Sequence, residues 1–256
     1  MRSFLEELRK RNKSLYWFGW YNLVLGLVCL VLMQFDSQQV LGISRWIKPI
    51  KFFLSVWIMV WSMGWILSYL DNKRRVRRIS WLIIITMFIE NFLITMQSAR
   101  GVSSHFNVTD SFNGMVFSTM GIAILIFTFT AIYAEVLFFR QQKFSIQPAY
   151  LWGIRLGLLF FIIFSLEAGF MLSRMSHTVG GPDGGAGLPL INWSTEHGDL
   201  RIAHFLGIHS LQILPLAGNY LFRKSSTLIL FSAVYFLLVT TILILALRGL
   251  PLGQFN

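Results

Sequence analysis

Seven long runs of apolar residues, separated by short polar segments, fill most of the 256-residue chain. A helix rises about 1.5 Å per residue, so roughly 20 apolar residues are needed to cross a hydrocarbon core of about 30 Å. The pattern therefore predicts an all-α, polytopic integral membrane protein. We expect a single seven-helix transmembrane domain over residues 1–256, with spans at about 15–35, 52–70, 80–99, 112–139, 150–173, 201–222 and 227–247.

Basic residues mark one side of this predicted bundle. Lysines and arginines cluster before the first span and in the segment 73–78, and they recur between spans 4 and 5 and between spans 6 and 7. All four segments fall on the same side of the membrane. Because cytoplasmic loops carry the excess of Lys and Arg, we predict a cytoplasmic N-terminus and an extracytoplasmic C-terminus.

Composition supports a membrane protein and argues against other classes. Hydrophobic residues make up 55% of the chain and charged residues 13%, about half the charged fraction of a typical soluble domain. The net charge of +11 is spread over separate loops, so we do not expect nucleic acid as a partner. The single cysteine, Cys29, allows no intrachain disulfide. The expected partner is the lipid bilayer, and the compact loops favour a bacterial inner (plasma) membrane.

Two glutamates lie inside predicted spans. Ionisable side chains there are costly, by roughly 2.5–3.5 kcal/mol each on insertion scales, and are retained where they find partners or serve a function. Glu90 lies near the middle of the third span and Glu167 in the outer half of the fifth. The structural alternatives are a hydrogen bond from Glu90 that fastens the bundle and a tether from Glu167 to Arg174. We take both glutamates as candidate catalytic groups.

The sixth span carries a polar stripe. At 100° per residue, Arg201, His204, His209 and Gln212 fall within an arc of about 140°. Imidazoles in such a stripe suit metal ligation or proton transfer, so His204 and His209 are candidate metal ligands. Arg201 and Gln212 are candidate substrate-binding residues. Hydrogen bonding to neighbouring helices is the structural alternative, and Pro215 should kink this helix.

Four polar residues of the outer loops complete the candidate site as substrate-binding groups: Arg100, His105, His197 and Asp199. The glycine-rich stretch 180–187 between spans 5 and 6 is predicted to be either a flexible connector or an ordered cap over an outward-facing cavity. We expect one site that opens to the extracytoplasmic side, with Glu90 and His209 deepest, and that receives a lipid or a small molecule.

Three functions fit these residues. The first is a membrane-embedded, metal-dependent enzyme, since mixed imidazole and carboxylate ligands suit zinc or iron. Haem fits less well, because the two intramembrane histidines share one helix. The second is a proton- or ion-coupled transporter or channel that uses Glu90 and the histidines of the sixth span. The third is a sensor or an accessory subunit of a membrane complex.

Overall fold

The computed structural model describes residues 3–252, which form helices, connecting loops and two short β-ribbons. The chain divides into two compact units, Met1–Gln142 and Lys143–Asn256. The division does not test the expectation of one domain over residues 1–256, which stays a prediction.

Unit 1 contains five helices in its described part: α1 (Phe4–Arg11), α2 (Lys13–Phe35), α3 (Ile47–Ile66), α4 (Lys73–Ala99) and α5 (Ser111–Arg140). An antiparallel ribbon, β1 (Gln39–Val40) and β2 (Ile43–Ser44), joins α2 to α3. A 3₁₀ turn, Leu67–Tyr69, follows α3. α2 packs mainly on α3, and α4 packs on α3 and α5. Cys29 lies in the buried cluster between these elements, as its small apolar character predicts.

Helix α1 is a finding of the structure, since the sequence analysis placed no helix before residue 15. Ser3 caps it: the Ser3 hydroxyl accepts from the Glu6 amide at 3.3 Å, and the Ser3 amide donates to the Glu6 carboxylate at 3.1 Å. This reciprocal capping box is readable in the sequence as Ser-x-x-Glu. The buried side chain of Leu8 then fixes α1 on the unit.

Unit 2 also contains five helices in its described part: α6 (Pro148–Leu166), α7 (Ala168–Arg174), α8 (Leu200–Ile208), α9 (Ser210–Leu216) and α10 (Ser225–Leu247). A single π-helical turn, Ala217–Leu221, continues α9. A ribbon of β3 (Thr178–Val179) and β4 (Gly198–Asp199) joins the two ends of the predicted outer segment, residues 175–199. α6 packs against α8, α9 and α10. The α6–α9 approach requires glycine, because a Cβ at Gly157 would lie 2.8 Å from the carbonyl oxygen of Ser210.

Among residues 3–252, six helical segments are long and apolar enough to cross a membrane, and a seventh crossing follows if α8 and its continuation to Leu221 are counted as one bent span. This supports the predicted all-helical, multi-pass architecture. The bend in that span is 41° and lies around His209, six residues before Pro215. The ring of a proline meets the carbonyl of the residue four positions earlier, here Leu211. The bend around His209 lies before that carbonyl, so the kink expected from Pro215 stays a prediction.

Two spans differ from their predicted limits. α4 begins at Lys73 rather than near residue 80, because the basic segment 73–78 continues the helix. Lys and Arg are good helix formers, so a charged run beside a span need not be a loop. The fifth span is interrupted at Glu167, which separates α6 from α7.

Candidate functional site

The polar face of helix α4 is buried within unit 1. Thr86, Glu90 and Gln97, spaced by four and seven residues, are all buried, as expected for one helical face. Asn91 donates from Nδ2 to Oδ1 of Asn22 on α2 at 2.7 Å. Glu90 is 2% exposed, and its Oε2 atom is buried without a hydrogen-bond partner among residues 3–252. A buried carboxyl oxygen of this kind calls for a functional explanation.

His105 lies beside Glu90, with 3.7 Å between His105 Nε2 and Glu90 Oε1. This separation is within ion-pair range but too long for a hydrogen bond. The other ring nitrogen, Nδ1, is 3.1 Å from the hydroxyl of Ser104. The positive charge of Lys48, in the first turn of α3, also acts on the Glu90 carboxylate. A carboxylate, an imidazole and an ammonium group are thus coupled within unit 1.

The loop 101–110 carries His105 back along α4. Glu90 precedes the last residue of α4 by nine positions, about 14 Å of helix, so a loop that starts after α4 reaches it only by folding inward. Ser104 is accordingly buried and His105 is 23% exposed. The imidazole lies against three phenylalanine rings, from α3, the loop and α5: Phe52, Phe106 and Phe117.

Arg100 is held by hydrogen bonds between α4 and α5. Its Nη1 atom donates to Oε1 of Gln97 at 2.6 Å and to Oδ1 of Asn113 at 2.9 Å. Gln97 in turn donates to Asn113 at 2.8 Å, and Asp110 caps α5 by accepting from the Asn113 amide. These contacts join the C-terminal end of α4 to the N-terminal end of α5. The assignment of Arg100 to substrate binding stays a prediction.

Glu167 and His204 form a second carboxylate–imidazole pair, within unit 2. The Glu167 side chain is 2% exposed, and its Oε2 is 3.2 Å from Nδ1 of His204. Nδ1 also lies 2.8 Å from the carbonyl oxygen of Phe164, so it carries a hydrogen and donates to that acceptor. His204 therefore joins α8 to the last turn of α6. The structure pairs Glu167 with His204, while Arg174 donates to the carbonyl of Phe170 at 3.4 Å.

His209 has different partners from His204. Its Nδ1 is 3.2 Å from Oε1 of Gln212, and its ring centroid is 4.3 Å from that of Phe205. Phe205 contacts Trp193 of the outer segment at 5.5 Å. Within residues 3–252 no group of three or more His, Cys, Asp or Glu side chains is arranged to hold a metal ion. The zinc or iron predicted for His204 and His209 therefore has no assembled donor set here.

Asp183 organises the glycine-rich part of the outer segment. Its carboxylate accepts from the amides of His177 and Thr178 and from the hydroxyl of Ser176, all at 3.0–3.1 Å. Nδ1 of His177 lies 2.7 Å from Asp183 Oδ2. Burial raises the pKa of Asp183, but the hydrogen bonds and charge of His177 outweigh it and hold the pKa well below its ordinary value. This pair was not predicted from the sequence, although His177 and the Pro182-Asp183-Gly184 turn indicate a local structure there.

Asp199 and Arg201 fasten the other end of the same segment. Asp199 is 1% exposed and accepts from Arg201 Nη2 at 2.6 Å and Nε at 2.9 Å. It also accepts from the amide of Ser194 at 2.8 Å. The ring of His197 occupies the space beside Gly181, where a Cβ would lie 2.2 Å from it. These contacts support the ordered form of the stretch 180–187 over the flexible one.

The ten predicted site residues are therefore distributed over the two units. Unit 1 supplies Glu90, Arg100 and His105; unit 2 supplies Glu167, His197, Asp199, Arg201, His204, His209 and Gln212. Four contacts join predicted residues to one another: Glu90 with His105, Glu167 with His204, Asp199 with Arg201, and His209 with Gln212. Their convergence on a single site stays a prediction. Comparison of the chain with family models, with curated proteins and with solved structures found no match in any of the three.

Proposed function

We propose that the chain is a proton-coupled membrane transporter or channel in which Glu90 and His105 bind and transfer the proton. The observation that carries this proposal is the buried Glu90 carboxyl, which has one oxygen without a hydrogen bond and the other 3.7 Å from an imidazole. Carboxylate and histidine chains inside membrane spans are characteristic of proton relays.

The chemistry of the pair suits reversible proton transfer. Imidazole is the side chain that changes charge most readily near neutral pH. A separation of 3.7 Å closes to hydrogen-bond distance with a small movement of the side chains. Lys48 contributes a fixed positive charge that accompanies the ionised carboxylate, because a buried carboxylate needs nearby cations.

The loop 101–110, which folds inward beside α4, would give the proton a route to one side of the membrane. The distribution of basic residues supports a cytoplasmic N-terminus, which puts the loop 101–110 on the extracytoplasmic side. His105 would then exchange protons with that side, and its partial exposure supports this role. We place the protein in the plasma membrane, and its compact loops favour a bacterial inner membrane.

We prefer the proton-coupled function to the metal-dependent enzyme because Glu90 and His105 lie within ion-pair range, whereas within residues 3–252 no three or more His, Cys, Asp or Glu side chains are grouped to hold a metal ion. His204 and His209 have separate partners, as described above. A metal enzyme would need further donors beside one of these imidazoles.

Proton flux into liposomes tests the proposal. The full chain is reconstituted with an internal pH-sensitive dye, and influx is driven by a potassium diffusion potential. Wild-type protein should exceed protein-free liposomes, and Glu90→Gln should lower the flux by about tenfold or more, because the amide holds no exchangeable acidic proton.

The matched control is Glu135→Gln, which makes the same change at a buried carboxyl of α5. Its flux should equal that of the wild type. Wild-type flux no greater than in protein-free liposomes, or equal loss in both variants, would contradict the proposal.

A further inference from the structure

One end of unit 1 carries a dense basic surface made of six exposed side chains from two segments: Lys10, Lys13, Arg74, Arg75, Arg77 and Arg78. None of the six side chains makes an ion pair or a hydrogen bond with another part of the chain between residues 3 and 252. Three other basic side chains in the described part of this end have contacts within the chain. Arg11 pairs with Glu7 at 2.8 Å, Lys73 donates to the carbonyls of Ser68 and Leu70, and the Arg9 guanidinium lies 5.8 Å from the centroid of the Trp17 ring.

The fold brings the two basic segments together. Leu8 is fully buried, which docks α1 on the unit and leaves Lys10 on its exposed side. Nδ2 of Asn12, at the junction of α1 and α2, donates to the hydroxyl of Ser80 on α4 at 2.8 Å. This bond lies two residues from Lys10 on one segment and two residues from Arg78 on the other. The six charges therefore belong to one surface.

Local electrostatics oppose this arrangement. The first six residues of α4, 73–78, contain five basic and no acidic side chains. The N-terminus of a helix carries a partial positive charge, so cations are unfavourable there and anions are favourable. The acidic residues of this end are few: Glu6 accepts from the Ser3 amide, Glu7 is paired, and Asp71 is exposed. The positive charge of this surface is therefore not balanced by nearby acidic side chains, and binding of an external anion would neutralise it.

We propose that this basic surface binds the phosphate groups of anionic phospholipids. The surface adjoins the ends of the spans α2 and α4, which is the depth of the lipid headgroups. Clustered Lys and Arg beside a transmembrane helix attract anionic lipid, with each basic side chain strengthening the association about fivefold. The inference is independent of Glu90 and of proton transfer.

Energy transfer from tryptophan to a dansyl-labelled phospholipid tests the proposal on the full chain in neutral detergent. Trp17 and Trp81 are exposed and close in sequence to Lys13 and Arg78, so they report on lipid at this surface. Dansyl phosphatidylglycerol should bind about tenfold or more tightly than dansyl phosphatidylcholine. The variant with Arg74, Arg75, Arg77 and Arg78 all changed to Gln should lose this preference.

Two controls separate charge from folding. Changing the same four arginines to Lys keeps the charge and should keep the preference within about threefold. Changing Arg174 and Arg248, exposed at other places in the chain, to Gln should leave it intact. High salt should weaken the preference in the wild type, since exposed charges are screened.

Three results would overturn the proposal. The first is equal affinity for the two lipids. The second is full retention of the preference in the four-Gln variant. The third is displacement of the lipid by inorganic phosphate or by poly-glutamate at concentrations far below that of the competing lipid, which would assign the surface to free phosphate or to an acidic protein.

Discussion

The two buried carboxylate–imidazole pairs differ in how firmly they are held. In unit 2, His204 donates from Nδ1 to the carbonyl of Phe164 and lies 3.2 Å from Glu167, and both residues sit where helices meet. In unit 1, His105 comes from a loop, and its Nε2 approaches Glu90 no closer than 3.7 Å. The first pair joins two helices, whereas the second brings a loop residue to α4 at a separation longer than a hydrogen bond.

This difference separates a structural role from a functional one. A ring nitrogen that is used by a backbone carbonyl fixes the tautomer and the position of the histidine, so His204 is suited to holding α8 on α6. Both carboxyls have oxygens without a hydrogen-bond partner among residues 3–252, Oε2 of Glu90 and both oxygens of Glu167, so the carboxyls do not distinguish the pairs. The difference lies in the histidines: His204 is bound to a backbone carbonyl of α6, whereas the loop residue His105 is the one that the proposed function uses to gain and lose a proton.

The largest effect that would sharpen this comparison is the loss of His204. His204→Ala should destabilise unit 2 by about 3 kcal/mol, because it leaves a buried carboxyl without its partner and a carbonyl without its donor. Adding Glu167→Gln should recover part of that loss, since the buried acid is removed as well. Thermal unfolding in detergent measures both. Strictly additive effects of the two substitutions would argue that the pair does not interact.

A third pair, His177 with Asp183, extends the comparison to the outer segment. The pKa of Asp183 is depressed, so its contribution to stability is fully present above the ordinary value of about 4 and is lost as the pH falls further, through the depressed pKa. Asp183→Asn should weaken the segment by about 1–2 kcal/mol at neutral pH and remove this acid dependence. Proteolysis of the segment between pH 6 and pH 3 tests it, and equal acid sensitivity in wild type and variant would contradict it.

The smallest effect should come from Lys48. Its charge acts on Glu90 from the first turn of α3, and at a partly exposed position such a charge is partly screened. Lys48→Gln should lower proton flux by about threefold, and Lys48→Arg should restore most of it. A loss as large as that of Glu90→Gln would make Lys48 a member of the relay rather than an electrostatic neighbour.

The helical architecture was predictable because lipid leaves a chain few alternatives. Backbone groups in hydrocarbon must bond within their own helix, so apolar runs of spanning length indicate helices directly. The predicted fourth span, 112–139, agrees with α5 to within one residue at each end, and Asp110 caps it by accepting from the Asn113 amide. α1 was not predicted because it is shorter than a membrane span, although the Ser3–Glu6 capping box indicates where the helix begins.

The buried glutamates could be identified from the sequence, but their contacts could not, and the role of the predicted site residues stays a prediction. Glu90 and Glu167 were identified because charge inside a span is costly. The partner of Glu90 depends on a loop that folds back among helices, which hydrophobic periodicity cannot indicate. The partner of Glu167 depends on the α6–α8 approach, where a Cβ at Gly207 would lie 2.0 Å from the ring of Phe164. Helical-wheel angles placed His204 and His209 in one stripe, but the two histidines have different partners. Nδ1 of His204 lies near the carbonyl of Phe164, and Nδ1 of His209 lies near Oε1 of Gln212.

The most direct measurement compares His105→Ala with His204→Ala in the same two assays, liposome proton flux and thermal unfolding. The account predicts that His105→Ala loses about tenfold or more of the flux while changing stability by about 1 kcal/mol or less. It predicts that His204→Ala lowers stability by about 3 kcal/mol while the folded fraction keeps its flux. The reverse pattern, with flux lost in the stably folded His204 variant and kept in the His105 variant, would contradict it.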